Sequence, residues 1–103
     1  MSIQIESRNG VVHIEGEMTI YSAATMLRDA LAAVGATTDD VAFDLTQVSE
    51  LDTAGVQILL AARNLAQQQG RTFGIVAASA ATRDVLALCG LKRLLNSNDR
   101  QVA

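Results

Sequence analysis

Phe43-Asp44-Leu45-Thr46-Gln47-Val48-Ser49-Glu50-Leu51-Asp52-Thr53-Ala54-Gly55-Val56 changes its hydrophobic period midway, and that change decides the fold. The stretch Val41–Leu45 is short and strand-like, apolar enough for the middle of a sheet. Residues 46–52 read as a loop. From Thr53 to about Gln69 the spacing becomes helical, and Gly70 supplies a stop. At about 100° per residue, Ile58, Leu59, Ala62, Leu65 and Ala66 share the side that faces the sheet. Gln57, Asn64, Gln67 and Gln68 cluster on the side that faces water.

Upstream, Ile3-Gln4-Ile5-Glu6-Ser7-Arg8 alternates apolar and polar residues, as a half-buried strand does. Asn9-Gly10 is a strong hairpin signal, and Val11–Glu15 returns as a second strand ending at Gly16. Ser22 stands as the N-cap of a helix whose apolar stripe is Ala24, Leu27, Leu31 and Val34, with Gly35 at its end. Downstream, Thr72–Ala77 predicts a strand with Phe73, Ile75 and Ala77 on one face and Val76 on the other. Ser79 caps a last helix whose inner face is Ala81, Val85 and Leu88. Gly90 stops that helix, Leu91 folds back over it, and Leu94 and Leu95 close the core. The order is β-β-α-β-α-β-α. The sequence therefore predicts an α/β domain with a mixed sheet of four to five strands, an antiparallel hairpin followed by parallel βαβ units packed with helices. The 103 residues form one domain, with a core over about 3–95 and a polar tail over 96–103.

Composition narrows the function. Half of the residues are apolar but only Tyr21, Phe43 and Phe73 are aromatic, so the core is aliphatic and rich in Ala. The net charge is −3 and the eight basic residues are dispersed, which argues against nucleic-acid binding; Lys92-Arg93 reads as a solvating pair at a helix end. The lone Cys89 lies in an apolar run and reads as a buried, inert thiol. With no signal-peptide pattern and no apolar run of membrane-spanning length, the chain is expected to be cytoplasmic. His13, alone on a strand, is read as a strand side chain rather than a base. The acidic residues lack metal-ligand spacing, and no Gly-rich phosphate loop occurs. Neither an enzyme, a metal nor a cofactor is expected.

The start of the central helix is the sharpest site. Asp52 and Thr53 both suit an N-cap, and free N–H groups with the helix dipole favour an anion there. A phosphoryl group on Thr53 would add about −1.5 to −2 charges and three acceptor oxygens. Val56 and Leu60 border the polar face of the helix, either as an exposed partner surface or packed under a neighbouring element. Gly55 leaves room for close approach.

The stretch Phe43–Val56 resembles the signature of STAS domains, the fold of bacterial anti-sigma factor antagonists. There a strand ends in an acidic and an aliphatic residue, a loop follows, and Asp-Ser/Thr-x-Gly opens a helix. Gly16-Glu17-Met18 and Leu86-Ala87-Leu88-Cys89-Gly90-Leu91 resemble two further motifs of that family, so the likeness covers about residues 3–95. It implies a non-enzymatic signalling module whose phospho-acceptor is Thr53, with Asp52, Ala54 and Gly55 as motif neighbours and Val56, Gln57, Leu60 and Asn64 as partner contacts. The implied partner is an anti-sigma factor that is also a GHKL-type serine/threonine kinase; phosphorylation releases it and a phosphatase resets the switch. Thr53 stands where the family more often has Ser, Ala54 where it often has a second hydroxyl residue, and Thr19 where it often has Asp. Gly16–Tyr21 and Leu51–Gln57 look like stand-alone STAS proteins linked to chemotaxis kinases. A further branch implies a constitutive adapter that steadies the ATPase of a lipid-transport ABC system. A monomer or weak homodimer is expected.

Overall fold

A computed structural model describes residues 3–95. The polar tail expected over 96–103 lies outside the described residues. Strands β1 (Ile3–Arg8) and β2 (Val11–Met18) form the antiparallel hairpin. A short 3-10 turn (Ile20–Ser22) leads into α1 (Ala23–Gly35); β3 (Val41–Leu51), α2 (Thr53–Gln68), β4 (Phe73–Ala78) and α3 (Ala80–Leu88) follow, then a 3-10 turn over Lys92–Leu95. The sheet has four strands in the order β1-β2-β3-β4, with β2-β3 and β3-β4 parallel. Asn9 and Gly10 both have positive φ, 52° and 79°, the backbone a two-residue hairpin turn requires.

One face of the sheet buries Val12, Ile14, Val41, Phe43, Leu45, Phe73 and Ile75. The Phe43 and Phe73 rings meet at 5.1 Å. α1 and α2 pack on each other, α1 against β1 and β2, and α2 against β3 and β4. They contribute Met26, Ala30 and Val34, then Ile58, Leu59, Ala62 and Ala66. Leu86 and Leu94 join the same core. The other face carries His13, Glu15, Asp44 and Thr46, which are half-buried or exposed.

Several expectations change here. Residues 46–51 belong to β3 rather than to a loop, and β2 runs on through Gly16 to Met18. Gly16 has φ 118° and sits at a bulge, so it kinks the strand instead of ending it. Across the two bulges Leu45, Val48 and Leu51 are buried at intervals of three, a period of neither strand nor helix. The buried stripe of α1 is Met26, Ala30 and Val34, while Ala24 and Leu27 are exposed. Ser22 precedes α1 without capping it, because it closes the 3-10 turn through its N–H to the Thr19 carbonyl at 2.9 Å. Gly35 ends α1 within the helix. The carbonyls there are met by buried Arg71, whose Nη1 donates to Val34, Thr37 and Asp39 at 3.1, 3.0 and 3.1 Å. The inner face of α3 is Thr82 and Leu86, one position round from Ala81, Val85 and Leu88. Leu88 is exposed, and Cys89, just past the last turn of α3, is exposed rather than buried. Ser79 caps α3 through its Oγ, and Leu91 N–H returns to the Leu86 carbonyl at 2.8 Å around Gly90.

Candidate functional site

The carboxylate of Asp52 organises the start of α2. Its Oδ1 accepts the N–H groups of Ala54 and Gly55 at 2.9 and 3.2 Å. Its Oδ2 accepts the N–H of Ile20 at 2.9 Å. The Asp52 N–H donates to the Met18 carbonyl at 3.1 Å, and its own carbonyl accepts Val56 N–H at 3.0 Å. One side chain thus supplies the helix cap and ties it to the turn after β2.

Thr53, the first residue of α2, is exposed, and its hydroxyl makes no hydrogen bond among the described residues. Because Asp52 holds the cap, the Thr53 side chain has no structural task. Gln57 and Asn64 are also exposed, at i+4 and i+11 from Thr53 along α2. Val56 is not a surface residue: it is 6% exposed and belongs to the core. Leu60 is half-buried and packs against that core, and Ala54 is half-buried. Gly55 is buried, and the group approaching it is the backbone of Met18 rather than a partner.

Residues missed by the sequence reading flank the same site. Ile20 and Tyr21 are 67% and 93% exposed, and Ile20 is bonded to the carboxylate that caps α2. Both lie in the stretch Gly16–Tyr21 that carries a family resemblance, but nothing local marks them as exposed, and the spacing Ile20, Ala24, Leu27 competes with the stripe through Met26.

A separate concavity of about 450 Å³ is lined by Gln4, Glu6, Arg8, His13, Asp44 and Thr46 among others, and shares no residue with the start of α2. His13 Nδ1 lies 3.4 Å from Asp44. The Asp44 carboxyl is held below the usual aspartate range, first by the Thr46 N–H it accepts at 2.9 Å. Burial opposes this, and the Thr46 hydroxyl, His13 and Arg8 add to it. Among the described residues no three His, Cys, Asp or Glu side chains converge as metal ligands. None of their helices is long and apolar enough to cross a membrane.

Residues 1–96 match the family model described as Mlab, STAS domain. The fold resembles that of an anti-sigma factor antagonist from Mycobacterium paratuberculosis, with TM-score 0.74 and 28% identity over 91% of this chain and 81% of that one. It also resembles the anti-sigma factor antagonist SpoIIAA in its unphosphorylated form, with TM-score 0.72 and 19% identity over 92% of this chain and 86% of that one. Comparison with curated protein sequences gives no significant match.

Proposed function

The chain belongs to the STAS domain family, and from that premise we propose that it is an anti-sigma-factor-antagonist-like module that binds a regulatory protein through the start of α2 and is switched by phosphorylation of Thr53. The observation that carries this reading is the division of labour between two adjacent residues. Asp52 fixes the helix, and the Thr53 hydroxyl stands free in solvent.

The physics of the switch follows from that division. Unmodified Thr53 is a small polar group that a partner can cover at little cost. A phosphoryl group there adds about −1.5 to −2 charges. The N–H groups of Ala54 and Gly55 that would welcome it are already taken by Asp52, whose carboxylate repels it. The added charge therefore keeps its water and faces outward, against any partner that must dry the surface. The Thr53, Gln57 and Asn64 line is the face so controlled. The partner in this reading is an anti-sigma factor acting as a GHKL-type kinase, and the 28% identical anti-sigma factor antagonist supports that branch over a chemotaxis assignment.

Calorimetry with the cognate anti-sigma kinase tests it. Thr53→Ala should bind within a few-fold of wild type, and Thr53→Glu should bind at least about tenfold more weakly, with unchanged urea midpoints. Equal binding by Thr53→Glu would instead make α2 a constitutive adapter face, of the kind an ATPase accessory subunit needs.

A further inference from the structure

We infer that the partner is anchored by Ile20 and Tyr21, in the turn beside Thr53, and by a cationic group seated on Glu17 and Glu50. The inference rests on the partner-binding reading above, but places the grip on the ends of β2 and β3 and the turn that follows β2 rather than on α2.

The turn has inverted polarity. Thr19 and Ser22 are 5% and 7% exposed, while Ile20 and Tyr21 between them stand in solvent. A buried polar pair bracketing an exposed apolar pair is the opposite of what folding alone selects. Ala24 and Leu27, on the α1 that follows the turn, are exposed as well. An exposed aromatic residue beside an exposed aliphatic one is the usual composition of a binding anchor.

The patch is also held rigid. Ser22 N–H closes the turn on Thr19, and Ile20 N–H is fixed to Asp52 Oδ2. Little backbone ordering remains to be lost when a partner closes on it. Through Asp52 the anchor shares one carboxylate with the first turn of α2, so Thr53 lies at its rim.

Charge identifies the kind of partner. Glu17 and Glu50 are direct partners in the β2-β3 register. Met18 and Leu51, next along each strand, are buried, whereas Glu50 is exposed and Glu17 half-buried. Like charges opposed across a sheet are destabilising, and no ion pair joins either of them among the described residues. A Lys or Arg from outside relieves that repulsion. The occupant is therefore a protein surface with an apolar pocket for the Tyr21 ring and a basic residue at the edge of that pocket. Glu17 and Glu50 belong to the ends of β2 and β3 and Thr53 to α2, so the cation and the switch residue sit on different elements. A surface with exposed apolar and basic groups together also occurs on this chain itself: Leu88, 87% exposed, followed by exposed Lys92 and Arg93. Self-association is accordingly the competing outcome.

The test places a photoreactive phenylalanine analogue at position 21, and separately at 88, in the full chain in its native cells. The adduct is identified, and the identified protein is purified and titrated against variants between about 50 and 300 mM salt. The inference expects an adduct from position 21 with a different protein. Tyr21→Ser and Ile20→Ser should each weaken binding about tenfold or more, and the Glu17→Gln/Glu50→Gln pair should flatten its salt dependence. No adduct from position 21, an adduct with a second copy, or wild-type affinity of Tyr21→Ser overturns it. If Tyr21→Ser binds weakly while Thr53→Glu binds normally, the anchor stands and the switch falls; the reverse result removes the anchor alone.

Discussion

Gly55 lies so close to Met18 that a Cβ on the glycine would stand 2.4 Å from the Met18 carbonyl oxygen and 2.5 Å from Leu51 Cδ1. The carbonyl is backbone and cannot swing away. Gly55→Ala must therefore push the first turn of α2 off the end of β2. Overpacking of this kind costs about 1–3 kcal/mol, and for a domain of this size each kcal/mol lowers Tm by roughly 4–8 °C. Thermal melting of Gly55→Ala against wild type checks it.

Asp52 and Thr53 are adjacent but should respond oppositely to truncation. Asp52→Ala removes the acceptor for Ala54, Gly55 and Ile20 together. A lost N-cap costs about 0.5–2 kcal/mol, and the stranded Ile20 N–H places this variant toward the upper end. Thr53→Ala removes a hydroxyl that bonds to nothing described, so its urea midpoint should match wild type within about 0.5 kcal/mol.

Asp44 predicts the direction of the acid limb of stability. Its folded pKa is lowered, chiefly by the Thr46 N–H. The unfolded chain, with an aspartate pKa of about 3.9, then binds more protons than the folded one, so stability rises with pH across this region. The contribution is present above the unfolded pKa and is lost as pH falls through the folded value. Asp44→Asn should be less stable at neutral pH and lose less on acidification below about pH 4. Urea midpoints from pH 6 down to pH 3, roughly the carboxylate range, measure both effects.

Arg71 is a buried staple rather than a surface cation. It gathers the carbonyl of Val34 near the end of α1 and those of Thr37 and Asp39 in the connection that follows, and its Nη2 donates to the Gln69 side chain. Hydrogen bonds from a charged donor contribute about 1.5–3 kcal/mol. Arg71→Ala should lose at least that much and increase amide exchange over Val34–Asp40. Equal exchange in the two proteins would remove this role.

Local signals were enough for much of this fold. Asn9-Gly10 imposes its own turn, and α2 keeps a helical stripe long enough to be unmistakable, so the hairpin and central helix could be read from residues alone. The second half of β3 could not. Its buried residues recur every third position because bulges rotate the strand, and what keeps Thr46–Glu50 extended is pairing with the end of β2. At the site, Asp beside Thr offered two candidate caps for one helix, and which of them holds it was not legible, because the choice of Asp52 is made together with a bond to Ile20 from another element. Nor was the fate of Val56, because a residue at the border of a helical stripe is buried or exposed according to its neighbours in space. Ile20 and Tyr21 were hidden for the opposite reason: a local pattern expects apolar residues inside, and the turn that holds them out is closed by Asp52, 32 positions away from Ile20.

The free Thr53 hydroxyl is most directly tested by intact mass and fragmentation of the protein isolated from its native cells under several growth conditions. The account predicts a population heavier by one phosphoryl group, carried on Thr53 and absent from Thr53→Ala. A single unmodified mass under every condition, or a phosphoryl group on any other residue, would contradict it.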